Sequence, residues 1–279
     1  MMVRPTVQVV SDCLARGWEE SVVACWKYGA EIATQYDKPG DPKSRDIGLC
    51  LTILDPFAEP RLHRAWPGGF EDLEIYRREV VDGVHDHWIA PEEGKWEYTY
   101  HERLEYFQVP GIENPIDQIS QVVDALVAQP YSRQAQAITW KPWADFGIKD
   151  PPCLQSFWFR IFDDQLIMDC RIRSNDAFKA GLMNMYAFTD LQRIVAERIS
   201  AKIGRKISVG HYTHTANSFH IYGSYFKDFF EGFWEDVENG RRTFDQRTFR
   251  TDDPFVAELM AEAVVNIDAK LAKEAKGGR

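Results

Sequence analysis

The apolar residues between positions 135 and 212 change period twice, and that alternation constrains the fold more than any other feature of the chain. Ala135 to Trp140 and Ser156 to Phe162 have the composition of strands, and Asp163-Asp164 marks a turn before a returning strand from Leu166 to Ile172. Met185 to Ile203 then has helical spacing, with Leu191, Ile194, Val195 and Ile199 on its buried side and Gly204 to end it. Ile207 to Tyr212 predicts a further strand. A hairpin, a helix and another strand in that order belong to an α+β chain built around one large sheet.

On either side of this block the pattern is more broken. The spacing predicts a helix over Val7 to Trp26, interrupted near Gly17, then a turn-rich stretch from Asp37 to Arg45 and a short apolar run from Ile47 to Leu54. Pro67-Gly68-Gly69 breaks the chain ahead of a helix from Phe70 to Val81. Asp117 to Val127 is amphipathic, with Ile119, Val122, Val123 and Leu126 on one face. Asp253-Pro254 opens a C-terminal helix, an N-cap followed by proline at the first helical position. With 279 residues, 44% of them hydrophobic, the chain can bury a large core as one domain or two tightly fused ones, and residues 1–279 are expected to form a single domain.

A net charge of -10 argues against a general nucleic-acid binder, which would carry a basic face. It does not exclude a small anion, because a local group of arginines can hold phosphate on an acidic protein. Nothing at the N-terminus resembles a signal peptide and no apolar run reaches membrane-spanning length, so a cytoplasmic protein without a membrane partner is expected. The five cysteines are irregularly spaced with no CxxC pair, which indicates neither a zinc ribbon nor a disulfide framework. His211 and His214, and His85 and His87, lack a matching acidic or cysteine motif, so no metal is expected.

The chemistry is concentrated in Pro151-Pro152-Cys153, in Arg173-Ser174-Asn175-Asp176-Ala177-Phe178, in Asn184 and in His220-Ile221-Tyr222. A free thiol titrates at about 8.5, so a thiol that attacks at neutral pH needs a nearby cation. Arg173 can supply it if its strand lies beside Cys153. Those four motifs, with Asp117-Gln118-Ile119 and Ser132-Arg133, resemble the thymidylate synthase superfamily over about residues 115 to 225, more loosely over 40 to 105 and not beyond about 240.

The resemblance implies a homodimer with a large mixed sheet at its interface, flanked by helices. It implies transfer of a one-carbon unit from 5,10-methylenetetrahydrofolate, a co-substrate, to C5 of a pyrimidine nucleoside monophosphate. In such a reaction Cys153 adds to C6 and makes C5 nucleophilic. Arg173 and Ser174 correspond to a phosphate-binding pair, and Arg133 to an arginine donated across the dimer. Gln134 departs from the family's usual second arginine. Arg45 is a further phosphate candidate in a divergent loop. Asn184 corresponds to the amide that reads the base, Asp176 to a carboxylate at the folate pterin, and His220 and Tyr222 to the pair that holds the ribose. For the glutamate that organises water and proton transfer, Glu79 is the first choice and Glu74 the second. Tyr100 resembles a tyrosine that hydrogen-bonds the catalytic water; an aromatic on a half-buried strand is the alternative.

Departures from the methylating branch favour hydroxymethylation of CMP or dCMP, with thymidylate synthesis on dUMP as the alternative. The chain ends Lys273-Glu274-Ala275-Lys276-Gly277-Gly278-Arg279, which is charged and ill suited to closing a dry cavity. Leu154 stands where thymidylate synthases typically carry histidine, and the tryptophan-rich insertion ahead of Tyr100 is shortened. Asn184 suits uracil but, having both a donor and an acceptor, can also meet cytosine. Ribose and deoxyribose remain open. A non-enzymatic nucleotide-binding relative would need a dispensable thiol, which the Cys153 and Arg173 pair argues against.

Overall fold

The computed structural model of the protein describes residues 3–277. In chain order its strands are β1 (Thr6–Ser11), β2 (Ala30–Ile32), β3 (Ser44–Ile53), β4 (Leu62–His63), β5 (Gln136–Ile138), β6 (Leu154–Phe162), β7 (Gln165–Asp176), β8 (Ser208–Ile221) and β9 (Thr248–Phe249). The principal helices are α1 (Leu14–Tyr28), α2 (Phe70–Asp82), α3 (Tyr100–Glu105), α4 (Gln118–Ala128) and α5 (Ala180–Ile203), followed by a C-terminal helix, Pro254–Gly277.

Seven strands form one mixed sheet in the order β1-β3-β8-β7-β6-β5, with β2 also on β3, while β4 and β9 pair separately. β8 runs parallel to β7 and antiparallel to β3. The β6–β7 hairpin turns at Asp163 and Asp164, both at positive φ (48° and 57°), a conformation short polar residues tolerate better than branched ones. On β3 the alternate residues Ile47, Leu49, Leu51 and Ile53 are all buried, the period-two pattern of a strand with one face on the core. Fully burying each such side chain stabilises by about 1.5–3 kcal/mol. Trp18 of α1 is completely buried on this face and donates its indole N–H to the Ala177 carbonyl at 2.8 Å.

The first predicted helix is corrected. Thr6–Ser11 is a strand paired in parallel with β3, and α1 starts only at Leu14. Val7, Val9 and Val10 are β-branched and gain ladder hydrogen bonds that an isolated helix end could not offer. Gly17 does not interrupt α1: it lies in its first part, where a Cβ would stand 2.3 Å from Ile53 Cδ1, so its bare backbone lets helix and strand approach closely. The strand expected at Ile207–Tyr212 is longer, running to Ile221 and so including His220. The helix expected from Met185 begins at Ala180, which puts Asn184 inside it.

The expected C-terminal helix is present, with Asp253 Oδ1 accepting the Phe255 N–H at 2.9 Å. It packs on α2 with Ile267 buried, held by an Arg78–Asp268 ion pair at 2.7 Å and a Lys270–Glu71 pair. Gly278-Arg279 lies outside the described residues.

Candidate active site

Cys153 immediately precedes β6, and Arg173 lies near the end of β7, so the hairpin brings them together. The Arg173 N–H donates to the Cys153 carbonyl at 2.8 Å. Its guanidinium reaches further, Nε to the Pro152 carbonyl at 3.0 Å and Nη2 to the Pro151 carbonyl at 2.6 Å. The two prolines stiffen the segment and offer only acceptors, and the arginine fork takes both. Burial pushes the Cys153 thiol above its ordinary value, while the Arg173 charge pulls it down and Asp150 adds a smaller upward push. The cation expected beside the thiol is there, but burial outweighs it. Cys13 and Cys170 are buried and pushed up to about 11 and about 12 respectively, mainly by desolvation, whereas Cys153 is only partly buried and has Arg173 as the largest influence opposing its burial.

Tyr100 opens α3 rather than sitting on a strand, with Thr99 as the helix N-cap. Its hydroxyl oxygen accepts the Leu154 N–H at 3.1 Å, tying α3 to the residue after the thiol. Tyr98 lies against Tyr100, ring centroids 5.7 Å apart, and against Cys153. Cys153 acts electrostatically on Tyr76, Tyr98, Tyr100 and Tyr222, so residues from three other parts of the chain lie near the thiol.

Beside this cluster is a cavity of about 360 Å³, open to solvent and lined by Tyr76, Glu79, Tyr98, Tyr100 and Asp150 with Lys95, Trp96 and Glu97. Burial raises the Glu79 carboxyl, opposed by a 2.9 Å hydrogen bond to His85 Nδ1. His85 is itself stacked on Trp88 at 3.8 Å. Glu74, the second choice, is committed elsewhere: Arg77 grips both its oxygens at 2.7 and 2.8 Å and bridges it to Asp190. Glu79, not Glu74, therefore faces the cavity.

Asn184 is 5% exposed, and its Oδ1 accepts the Tyr76 hydroxyl at 2.6 Å. Ser174 is half-buried on β7 opposite Ser218 of β8. Two positions on, Asp176 pairs with His220. Asp176 Oδ1 accepts the Phe178 and Lys179 N–H groups, each at 3.0 Å, and burial lifts its carboxyl while lowering the neighbouring His220. His220 takes Ser218 Oγ on Nδ1 at 3.1 Å and meets the Tyr222 ring edge-on at 4.6 Å. Its buried Nε2 has no hydrogen-bond partner among the described residues, a donor or acceptor left for something polar.

The two remaining arginines stand differently. Arg45 is half-buried, paired with exposed Glu31 at 3.0 Å and donating to the Gly29 carbonyl at 3.3 Å, over the Trp26 ring. Arg133 is exposed in the loop before β5. Sequence reasoning missed Tyr76, Tyr98 and His85. Tyr76 precedes Glu79 by three positions on α2, a spacing that sets both on one helix face and was the available signal.

Comparison with known proteins shows the family. The chain matches the family model described as thymidylate synthase over residues 69–251. It is 30% identical over 217 residues to the "Putative thymidylate synthase" of Methanocaldococcus jannaschii, covering 75% of this chain and 87% of that protein. A protein of the same description from Methanopyrus kandleri is 34% identical over 185 residues, 65% of this chain and 79% of its own. That from Methanosarcina barkeri is 27% identical over 226 residues, 79% and 91% of the two chains. Over more than half its length, and across the segment that carries the thiol, the arginine and the carboxamide, the chain belongs to the thymidylate synthase family, which uses 5,10-methylenetetrahydrofolate for one-carbon transfer to a pyrimidine nucleotide.

Proposed function

We propose that the protein hydroxymethylates C5 of a cytidine monophosphate, CMP or dCMP, with 5,10-methylenetetrahydrofolate as co-substrate and as a homodimer. Cys153 adds to C6 of the base, which makes C5 nucleophilic toward the one-carbon unit. Loss of the C5 proton and release of tetrahydrofolate leave an exocyclic methylene on the ring. Water adds to that carbon, and expulsion of the thiolate frees the 5-hydroxymethyl nucleotide, a net gain of CH2O without oxidation of the folate.

Arg173 steadies the thiolate and, with Ser174, binds the phosphate. Arg133 of the other subunit and Arg45 add charge there. Asn184 reads the base, His220 Nε2 and Tyr222 hold the ribose, and Asp176 meets the pterin. Glu79 and Tyr100 handle water and protons.

The observation that carries the reading is the Pro151-Pro152-Cys153 segment braced by Arg173, whose charge also acts on the Cys153 thiol. Hydration over hydride transfer is supported by the charged lining of the cavity at Tyr100 and its opening to solvent. The C-terminal helix, bound along α2 by ion pairs, supports it further. The second reading, methylation of dUMP, is favoured by the names of the relatives and by an asparagine at position 184.

Incubation with methylenetetrahydrofolate and each of CMP, dCMP and dUMP separates the two. Hydroxymethylation adds CH2O to the product mass and forms no dihydrofolate. Dihydrofolate absorbance rising in step with product establishes methylation instead.

A further inference from the structure

Glu79 faces two ways. It lines the cavity that it shares with Tyr76, Tyr98 and Tyr100, and its Oε2 lies 2.9 Å from His85 Nδ1. His85 is only 7% exposed and lines a second cavity of about 260 Å³, between α2 and the C-terminal helix. That second space reaches solvent past the exposed Asp72, Lys270 and Glu274. A single hydrogen bond therefore joins the linings of the two cavities. The ring that makes it is held in place, stacked on Trp88 at 3.8 Å and met edge-on by Trp96 at 5.6 Å. Nδ1 is thereby kept on the carboxyl, and Nε2 is left to exchange protons.

One-carbon transfer moves protons both ways. The folate nitrogens take up protons as they give up the one-carbon unit, and C5 and the attacking water lose protons in equal number. Binding of nucleotide and folate displaces water from the first cavity, so those protons need another way to solvent. An imidazole passes a proton on by accepting at one nitrogen and releasing from the other. Burial raises the Glu79 carboxyl towards the ordinary imidazole range, which eases transfer in both directions.

We propose that His85 relays protons between Glu79 and solvent in the second cavity. This rests on Glu79 being the residue that handles protons at the site. Inward, Nε2 takes a proton from water and Nδ1 gives its own to the Glu79 carboxylate. Outward, the Glu79 carboxyl returns a proton to Nδ1 and Nε2 releases one. Equal traffic in the two directions restores the starting tautomer without turning the ring. His85 acts through Glu79 and is a positioning residue.

The test follows tritium released to water from 5-tritiated CMP, dCMP and dUMP with methylenetetrahydrofolate, since loss of the C5 hydrogen is common to hydroxymethylation and methylation. In His85→Ala, kcat for release should fall about tenfold or more while KM stays within about twofold. Added imidazole should restore it, and pyrazole, of the same shape but a far weaker base, should not. His85→Gln keeps a donor beside Glu79 but cannot relay, and should be as slow as His85→Ala. An equal response to imidazole and pyrazole reduces His85 to filling space and overturns the relay. So does a rate in His85→Gln within about twofold of the unmutated one when Glu79→Gln has lost release, which leaves the reading of Glu79 standing. Release retained in Glu79→Gln overturns that reading and the relay with it. No release from any of the three nucleotides overturns the proposed function itself, and the relay falls with it.

Discussion

At the scale of single residues, the site turns on a contest between burial and one cation at Cys153. Burial raises the thiol and Arg173 opposes it, so removing the cation leaves burial unopposed. Alkylation requires thiolate, and each unit of upward shift lowers its rate at fixed pH about tenfold. In Arg173→Ala, iodoacetamide labelling of the Cys153 peptide, followed by mass spectrometry, should therefore slow at pH 8 and its pH profile should move to higher pH. Arg173→Lys retains the charge without the fork to Pro151 and Pro152, and should fall between. An unchanged profile in Arg173→Ala would show that the cation does not act on the thiol. Cys153→Ser should lose turnover while keeping nucleotide affinity within a few-fold, because a hydroxyl is a far poorer nucleophile than a thiolate.

Between elements, close approach matters more than any one contact. Gly223 follows the His220–Tyr222 segment, and a Cβ there would stand 1.8 Å from the Pro42 carbonyl oxygen, a backbone atom. Gly223→Ala should destabilise the protein by about 1–3 kcal/mol in urea unfolding, the usual cost of overpacking. A midpoint equal to that of the unmutated protein would mean that the 37–43 loop yields freely. The same scale explains what could be read in advance. The β6–β7 hairpin was legible because Asp163-Asp164 separates two runs of the right length, and α2, α4 and α5 because their apolar spacing is regular. β1 was not, because three valines in Val7–Val10 fit either period locally and only pairing with β3, some forty positions on, decides between them. Among site residues, Cys153 and Arg173 stood out by chemical type and setting, whereas Glu79 came only from the family resemblance, with Glu74 as the second choice. Tyr76 did not, since a lone tyrosine on an amphipathic helix gives no hint of a partner 108 residues away.

For the molecule as a whole, stability should carry an acid limb traceable to His214. It is fully buried between Tyr212 at 2.7 Å and Asn175 at 2.8 Å, and burial lowers its titration from 6.5 to about 4. Below pH 6.5 the unfolded chain takes up a proton that the folded one refuses, so stability drops as pH falls towards 4. Between pH 7 and pH 5 the His214 share of that loss is about 2 kcal/mol by linkage. His214→Gln should start less stable but lose about that much less over the interval, measured by urea unfolding at both pH values. An equal loss would assign the acid limb to other groups. If the site is completed across a dimer, inactive Arg133→Ala mixed with inactive Cys153→Ser should regain activity through heterodimers with one intact site. Verified heterodimers without recovery would mean that each site is built within one chain.

The placement of β8 bears on how the protein is made. This fourteen-residue strand lies between β3 and β7, yet it is the last strand of the seven-stranded sheet to leave the ribosome. Until residue 208 emerges, β3 has only β1 and β2 beside it and β7 has only β6, so each presents a bare edge. Open edges recruit other strands, including those of neighbouring nascent chains. A ribosome halted short of Ser208 would therefore release two half-sheets with nothing to join them, a product suited to chaperones and aggregates rather than to slow self-correction.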